Sequence, residues 1–336
     1  RCGARSATRR TLGANMFALI GDHLFANFMW QRLEKMGSNT TFYTQAPSML
    51  EELSVFGKNN PSFLIEHMPV LTNAANSQRI KKMDSRDIDI LIPWSIDSNL
   101  SDYNTIQRAL NNLGKTVALV GAELIKKLKS NYKQSVLSVF NECYASETGD
   151  LYKFQERKTK DDYRWMNMLH IVDQHVRQWR RFNMLRSLNQ VPEKFNIVIT
   201  AEKNQVSKLP ELYSKSNVKW TGKVTTEQLD NLYLNSKLVL NCNPTYPDFI
   251  HERVRNAMSW GCCVISDRNI ALEGKFINNE HIIFADALPQ WQDMLKYKNI
   301  ELQQIADKGN TLIKAQYTQE KFCRVLLKEI DKRIQA

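Results

Sequence analysis

The sequence predicts an α/β protein built on parallel β-sheet. It contains short apolar runs of the kind found in buried parallel strands, such as "DIDILIPWS" and "KLVLNCNP". Stretches with helical periodicity separate most of these runs, and repeated strand–helix units imply a parallel sheet with helices on both faces. With 336 residues, 43% of them hydrophobic, the chain can fill one large or two medium cores.

The first series of strand–helix units spans residues 16–68. Its strands are predicted at "FALIGDH", "TTFYTQ" and "SFLIEH". The helix "APSMLEELSVFG" has Pro47 and Ser48 as start signals and Gly57 as a stop signal. With only about three strands, this series predicts a partial Rossmann-like domain.

A second, complete series spans residues 87–300, after a polar linker at 69–86. Its remaining strands are predicted at "TVALVGA", "FNIVIT", "VKWTG", "CCVISD" and "HIIFAD", with a helical insert at 122–190. We expect a doubly wound Rossmann-like domain here, followed by helices at 301–336. Residues 1–15 are rich in Arg and are predicted to be a leader or the edge of a longer chain, outside the fold.

The net charge of +11 favours anionic partners, namely nucleotide phosphates, nucleic acid or an anionic membrane surface. The basic residues are dispersed and no nucleic-acid-binding motif occurs, so we expect no nucleic-acid partner. The six Cys show no CxxC spacing, which predicts a reducing compartment without a disulfide scaffold or zinc site. No apolar run approaches the roughly 20 residues of a membrane span. We expect a cytoplasmic protein, with the inner membrane surface as the alternative location.

The stretch "NPTYPDFIHERVRNAMSWGCCVISDRN" predicts a loop, a helix at 249–260 and a strand. Asp248 is predicted to be the N-cap of this helix, and Gly261 lets the chain turn into the strand. The residues "HER", 251–253, lie at the predicted start of the helix. Because the loop follows "KLVLNCNP", it is predicted to lie at the carboxyl edge of the sheet, where ligands bind and helix N-termini attract anions.

Asp248, Glu252 and Asn256 are spaced four apart and are predicted to share one helix face. Two interpretations remain open from the pattern. Asp248 caps the helix and the others form a solvated polar face, or the group binds a ligand at the helix start.

Three segments together resemble GT-B glycosyltransferases of the group 1 branch. "SKLVLNCNPTYPDFIHERVRNAMSWGCCVISDRN" is similar to the donor-binding half, which carries a "D…ERV.EA…G…V..D" pattern. "RDIDILIPWSI" resembles the start of the second domain, and "VKWTGKVTTEQLDNLYLNSKLVLN" resembles the segment that follows in those enzymes. The likeness covers residues 86–300 well and 17–68 more loosely.

The resemblance implies donor-binding roles for residues of the 249–260 helix. Two acidic residues of the family fall on Asp248 and Asn256, and the second normally grips the ribose hydroxyls of the donor. Asn256 can still hydrogen-bond a diol, although without a charge. Glu252 and Arg253 match the "ER" of this branch, and His251 stands beside them. Arg253 either pairs with a donor phosphate or forms an ion pair within the helix.

Other matched positions complete the implied site. Gly222 and Lys223 fall in the loop that borders the base in the family, and Ser95 precedes the first phosphate-side loop. That loop, "SIDSN", lacks the basic residue of the family, so the charge that neutralises phosphate must come from elsewhere. Asp22 and His23 resemble the histidine turn that contacts the transferred sugar, and they are the implied catalytic residues.

The resemblance implies a hexosyltransferase-type enzyme that transfers sugar from a nucleotide-sugar donor to a glycan, lipid or protein acceptor in glycan biosynthesis. It implies no cofactor and no metal, since enzymes of this fold work without one. A degenerate GT-B module that binds nucleotide or a partner protein without catalysis is the alternative. Because residues 16–68 supply only part of an acceptor domain, we expect the chain to be a fragment that binds nucleotide without transferring sugar.

Overall fold

The structure is a computed structural model of the chain. It describes residues 16–20, 33, 36, 40–44, 46–55, 62–64, 80–97, 99–131, 133–155, 158–206, 209, 212, 214–243, 246–285 and 291–334.

The first lobe contains a parallel three-stranded sheet in the order β1-β2-β3. Its strands are β1 (Met16–Ile20), β2 (Thr40–Thr44) and β3 (Ser62–Leu64). Helix α1 (Pro47–Val55) connects β2 to β3 and begins at the proline that the sequence predicts as its start. A proline fits the first helical position because its missing N–H would have no partner there.

The second lobe contains a parallel six-stranded sheet in the order β6-β5-β4-β7-β8-β9. Its strands are β4 (Ile88–Ile92), β5 (Ile197–Ile199), β6 (Val218–Trp220), β7 (Ser236–Asn241), β8 (Cys263–Asp267) and β9 (Ile283–Ala285). Counted from β4, this is the order 3-2-1-4-5-6 of dinucleotide-binding folds, whose ligands bind where the order reverses. That switch point lies between β4 and β7.

Helices connect the strands of the second lobe. Those between β4 and β5 are α2 (Tyr103–Leu113), α3 (Lys115–Ser130), α4 (Val136–Thr148) and α5 (Lys160–Ser187). Later in the chain lie α6 (Thr226–Leu234), α7 (Glu252–Ser259), α8 (Ile270–Glu273), α9 (Trp291–Met294), α10 (Asn299–Gln316) and α11 (Gln319–Ile334). Short 3₁₀ turns cover Met83–Ser85, Leu188–Gln190 and Lys203–Val206.

One predicted strand is wrong. The run "TVALVGA" lies inside α3, so the helical insert begins at Tyr103 rather than at residue 122. Val117, Val120 and Leu124 of this helix are all buried, at the spacing of one helix face. Gly121 lies on the same face, where an added Cβ would approach Leu110 at 3.1 Å and Met168 at 3.3 Å. The glycine therefore lets α3 pack closely between α2 and α5.

Both faces of the six-stranded sheet are covered. Ile90 and Ile92 of β4 pack in one apolar cluster with α5, whereas Leu91 packs in another cluster with α7. Because successive strand residues point to opposite faces, clusters on alternating residues mean helices on both sides. The predicted α/β class with a doubly wound sheet of GT-B type is confirmed for the second lobe.

Several contacts join the two lobes. Phe42 of β2 and Leu53 of α1 belong to the apolar cluster that fills the helical insert. Tyr43 packs against α11 through Phe322 and Val325. The insert and the last helix therefore both contact the first lobe.

In the part of the chain that the structure describes, no helix is both long and apolar enough to cross a membrane. The described cysteines are free thiols, of which Cys323 is exposed and the others are buried.

Candidate functional site

The switch point is lined by the ends of β4 and β7. Strand β7 ends at Asn241, and Asn243 follows two residues later; both are buried. The side-chain amide of Asn241 donates to Ser266 Oγ at 2.8 Å and to Asn243 Oδ1 at 3.0 Å. These bonds fix the orientation of the Asn241 amide and leave its oxygen as an acceptor toward the neighbouring helix.

Asp267 anchors this network from the end of β8. Its carboxylate accepts from the backbone N–H of Asn243 at 2.9 Å and from the side-chain amide of Asn243 at 2.7 Å. Burial raises the pKa of Asp267 to about 6, although these bonds and nearby Arg180 oppose the shift. Asn241, Asn243 and Asp267 were not among the predicted site residues, although "LNCN" and "SD" end two predicted strands.

Arg253 crosses the switch point. Its Nε donates to the carbonyl oxygen of Pro93, just after β4, at 3.0 Å, and its Nη1 donates to Asn241 Oδ1 at 3.0 Å. The side chain is buried, and burial lowers the pKa of its guanidinium. Within the described residues Arg253 makes no ion pair in its own helix, so the predicted intrahelical pair is wrong. The predicted pairing with a donor phosphate stays a prediction.

Helix α7 starts at Glu252, three residues later than predicted, and its N-cap is His251 rather than Asp248. His251 Nδ1 accepts from the backbone N–H of Arg253 at 3.1 Å. Desolvation, followed by the charges of Arg253 and Arg181, holds the pKa of His251 well below its usual range. The ring is therefore neutral at pH 7, with its proton on Nε2.

Asp248 caps a different helix. Its carboxylate accepts from the backbone N–H of Ser48 at 2.7 Å and from the Ser48 hydroxyl at 2.6 Å. Ser48 lies in the first turn of α1, whose N–H groups lack partners within the helix. The predicted cap is wrong because the chain turns at Pro247 and Asp248 and stays non-helical up to His251.

A buried pair of acidic and phenolic groups lies beside this contact. Tyr246 Oη donates to Glu52 Oε2 of α1 at 2.9 Å, and both side chains are buried. The other carboxyl oxygen, Oε1, has no hydrogen-bond partner. Burial raises the pKa of Glu52 well above its usual range, although the hydrogen bond from Tyr246 opposes the shift.

The loop after β6 contains Gly222 and Lys223, as predicted. Gly222 has φ +69°, and a Cβ there would lie 2.9 Å from Glu202 Oε1, which explains the glycine. The backbone N–H of Lys223 donates to the same carboxylate at 3.4 Å, and its side chain is exposed. Glu202, which follows β5, is therefore a neighbour of this loop that the sequence did not identify.

The other predicted residues differ in their surroundings. Ser95 is exposed, and its carbonyl oxygen accepts from Arg181 at 2.8 Å. Glu252 is exposed at the first position of α7, and Asn256 is partly exposed one turn later. Neither side chain hydrogen-bonds to any described residue. Asp22 and His23 lie outside the described residues.

Two cavities can be compared with the positions of the predicted site residues. One of about 140 Å³ lies between the lobes and is lined by residues that include Pro47, Asp248 and Arg255. Another, of about 410 Å³, lies beside the outer strand β9 and is lined by Phe284 and Tyr297, among others. None of the predicted site residues lines the larger cavity, so volume alone does not identify the site.

Within the described ranges, no group of three or more His, Cys, Asp or Glu side chains could hold a metal ion. The charged groups that do converge on the switch point are guanidinium groups. Such groups bind anionic oxygens through paired N–H donors.

The sequence from 177 to 328 matches the family described as glycosyl transferase-like. This range begins inside α5 and continues through β5–β9 and the helices that follow. It includes every predicted donor-binding residue except Ser95. No curated protein matches the chain.

Several solved structures show a limited likeness. The C-terminal domain of a group 1 glycosyl transferase, LpcC from Francisella tularensis, is 15% identical; the match covers 41% of this chain and 80% of that one, with a TM-score of 0.34. Sucrose-phosphate synthase from Thermosynechococcus elongatus is 11% identical. The match covers 88% of this chain and 58% of that one, with a TM-score of 0.42. HepE from Anabaena, solved in complex with UDP and glucose, is 10% identical. The match covers 94% of this chain and 99% of that one, also with a TM-score of 0.42.

TM-scores below 0.5 do not establish a shared fold, so the fold assignment rests on the strand order itself. That order is 3-2-1-4-5-6 with helices on both faces, and five of its six strands, β5–β9, lie within the residues that match the glycosyl transferase-like family. The resemblance of this chain to GT-B glycosyltransferases of the group 1 family is thereby confirmed over residues 177–328.

Proposed function

We propose that the chain binds a nucleotide-sugar at the switch point between β4 and β7 and that the protein transfers the sugar to a glycan, lipid or protein acceptor. The observation that carries the proposal is the position of Arg253. It joins the ends of the two switch-point strands at the start of α7, inside the glycosyl transferase-like segment. Ligands of open parallel sheets bind at this position.

In this proposal the diphosphate of the donor lies against the start of α7. The bond between the sugar and the diphosphate breaks as an acceptor oxygen attacks the sugar, and the leaving diphosphate gains negative charge. Arg253 and the positive end of the α7 dipole stabilise that charge. His251 Nδ1 accepts from one backbone N–H at the helix start, so the proton of the neutral ring lies on Nε2. This Nε2–H is a further donor for the ligand.

The nucleoside extends from this point toward the other predicted residues. Asn256 offers an uncharged amide to the ribose hydroxyls, and the loop of Gly222 and Lys223 borders the base. Because guanidinium groups supply the positive charge, we expect no metal requirement. Binding and turnover are therefore expected to be the same in EDTA and in Mg²⁺.

The test begins with thermal unfolding of the full chain in the presence of UDP, GDP, ADP and the corresponding monophosphates. At about 100 times the dissociation constant, the right diphosphate stabilises by about 2.7 kcal/mol. For a chain of this size that raises the midpoint by roughly 5–11 °C. Arg253→Lys keeps the charge but loses the fork, so it is expected to reduce the shift. A flat response to every nucleotide would contradict the donor site.

A non-catalytic nucleotide-binding module is the second candidate. Asn256 favours it, because the family residue that grips the ribose is acidic and the amide gives a weaker hydrogen bond. Assays of nucleotide-sugar hydrolysis and transfer on the same protein separate the two candidates.

A further inference from the structure

The loop after β4 lacks the basic residue of the family, yet it is not without positive charge. Helix α5, which ends the helical insert, carries Arg177, Arg180 and Arg181 in its last three turns. Arg181 Nη1 donates to the carbonyl oxygen of Ser95 at 2.8 Å and to its hydroxyl at 3.3 Å. The insert therefore brings a guanidinium group to the loop itself.

Arg181 and Arg253 hold the same turn of backbone. Arg253 Nε donates to the carbonyl oxygen of Pro93, two residues before the Ser95 carbonyl that Arg181 contacts. Two residues span at most about 7 Å of extended chain. One guanidinium group from the insert and one from α7 thus converge on the switch point from different elements.

Two N–H groups of this cluster have no partner. Arg181 is 6% exposed, and its buried Nε makes no hydrogen bond. Arg177 Nη2 donates to Asp173 at 2.6 Å, but its Nε is also buried without a partner. A buried donor without a hydrogen bond is costly, and a cluster of such donors on cationic groups is the arrangement that an anion would complete.

Arginines outnumber the buried carboxylates in this part of the molecule. Arg177, Arg181 and Arg253 are accompanied by Arg180, whereas the buried carboxylates that interact with them are those of Asp173 and Asp267. Burial lowers the pKa of Arg181 to about 10, and the charge of Arg253 is the next cause. Mutual repulsion of buried cations is relieved when an anion binds between them.

We infer that Arg181 and Arg177 of the helical insert form, together with Arg253, the binding site for the diphosphate group of the donor. The inference rests on the proposed function and adds to it, because it makes the insert part of the donor site. Bidentate guanidinium forks suit the oxygens of a diphosphate. They also replace the missing basic residue of the "SIDSN" loop.

The test uses the full chain and sodium pyrophosphate, because this probe does not depend on the identity of the base or the sugar. Affinity is measured by calorimetry, with sodium chloride added to keep the ionic strength equal. We expect Arg181→Met to weaken pyrophosphate binding by roughly 10- to 100-fold, since hydrogen bonds to charged groups are lost. Arg186→Met is the matched control: it removes the same charge from an exposed position of α5 and is expected to leave the affinity unchanged.

Circular dichroism and thermal unfolding without ligand show whether each variant folds. If Arg181→Met does not fold, Arg181→Lys and Arg177→Met carry the test, and each is expected to weaken pyrophosphate binding more than Arg186→Met does. No binding of pyrophosphate by the parent protein, or equal affinities in the Arg181 and Arg186 variants, would overturn the inference. Nucleotide binding is assayed separately by thermal unfolding, so an Arg181-dependent pyrophosphate site in a protein that responds to no nucleotide contradicts only the proposed function.

Discussion

The carboxylate of Asp248 caps helix α1 of the other lobe through Ser48, a residue 200 positions earlier in the chain. Asp248 accepts one short hydrogen bond from the backbone N–H of Ser48 and one from its hydroxyl. These bonds give a partner to an N–H group in the first turn of α1, and they join the two lobes. A negative charge at a helix start is also favoured by the helix dipole.

We expect Asp248→Ala to lower stability by about 1–2 kcal/mol, the usual cost of losing an N-cap. The measurement is thermal unfolding in the absence of ligand. Glu252→Ala is the control, because Glu252 is exposed and hydrogen-bonds to no described residue. Equal midpoints for the two variants would show that the bonds to Ser48 contribute nothing to stability.

Arg253 is expected to be structural as well as ligand-binding. Arg253→Met leaves the Pro93 carbonyl and the Asn241 amide oxygen without a donor at a buried position, so we expect a loss of about 2–4 kcal/mol. Urea unfolding measures this loss. Glu252→Ala, one residue earlier, is expected to stay within about 0.5 kcal/mol of the parent. An Arg253→Met protein as stable as the parent would mean that its bonds to the two strands do not stabilise the fold.

The sheet of the second lobe could be predicted because its central strands are continuous apolar runs. Strands β4, β7 and β8 are buried on both faces, and parallel strands of this kind show no polar alternation. The run "TVALVGA" is similarly apolar but belongs to a helix. A short apolar run is compatible with a buried strand and with a buried helix segment. Its burial pattern becomes helical only when the sixteen residues of α3 are taken together.

The candidate site was less predictable because its contacts are distant in sequence. The bond from Arg181 to Ser95 spans 86 residues, and no local pattern indicates it. The start of α7 was also predicted three residues too early. Tyr246 and Phe249 pack with Ala46 and Met49 of the first lobe, and the chain between them and His251 is not helical. Tertiary packing therefore overrode the local signal of Asp248.

His175 gives a prediction about pH. Its Nδ1–H donates to the Leu100 carbonyl oxygen at 2.8 Å, and its Nε2 is buried without a partner. Burial lowers its pKa from 6.5 to about 4; nearby Lys129 lowers it further, whereas Asp102 and the Leu100 bond oppose the shift. The unfolded chain binds the proton below about pH 6.5 and the folded chain only below about pH 4. The stability that the neutral ring contributes is therefore present above pH 6.5 and lost as the pH falls to about 4.

We expect the parent to lose about 3 kcal/mol more than His175→Asn between pH 7 and pH 4. The variant keeps an amide donor for the Leu100 carbonyl but has no titrating ring. Because other groups titrate in both proteins, the quantity to measure is the difference between their urea unfolding free energies at each pH. Parallel pH profiles would show that His175 does not titrate between the two states.

Gly261 ends α7 in the left-handed region, with φ +71°. A Cβ at this position would lie 2.7 Å from Ile80 Cγ2 and 3.1 Å from Arg86 Nη2. Arg86 cannot easily move, because its buried guanidinium group donates to the carbonyl oxygens of Ser236 at 2.6 Å and Trp260 at 3.0 Å. A side chain here therefore meets both backbone strain and a steric clash.

Gly149 separates the two effects, because its φ is also positive, at +85°, but a Cβ there would meet no atom within 4 Å. We expect Gly149→Ala to cost about 1 kcal/mol, the strain of the left-handed conformation alone. Gly261→Ala is expected to cost about 2–4 kcal/mol, since overpacking adds to that strain, and Gly261→Val more. Urea unfolding of the three variants measures these costs. Similar losses for the two alanine variants would mean that Ile80 and Arg86 give way without cost, and that the conformation of Gly261 alone explains the glycine.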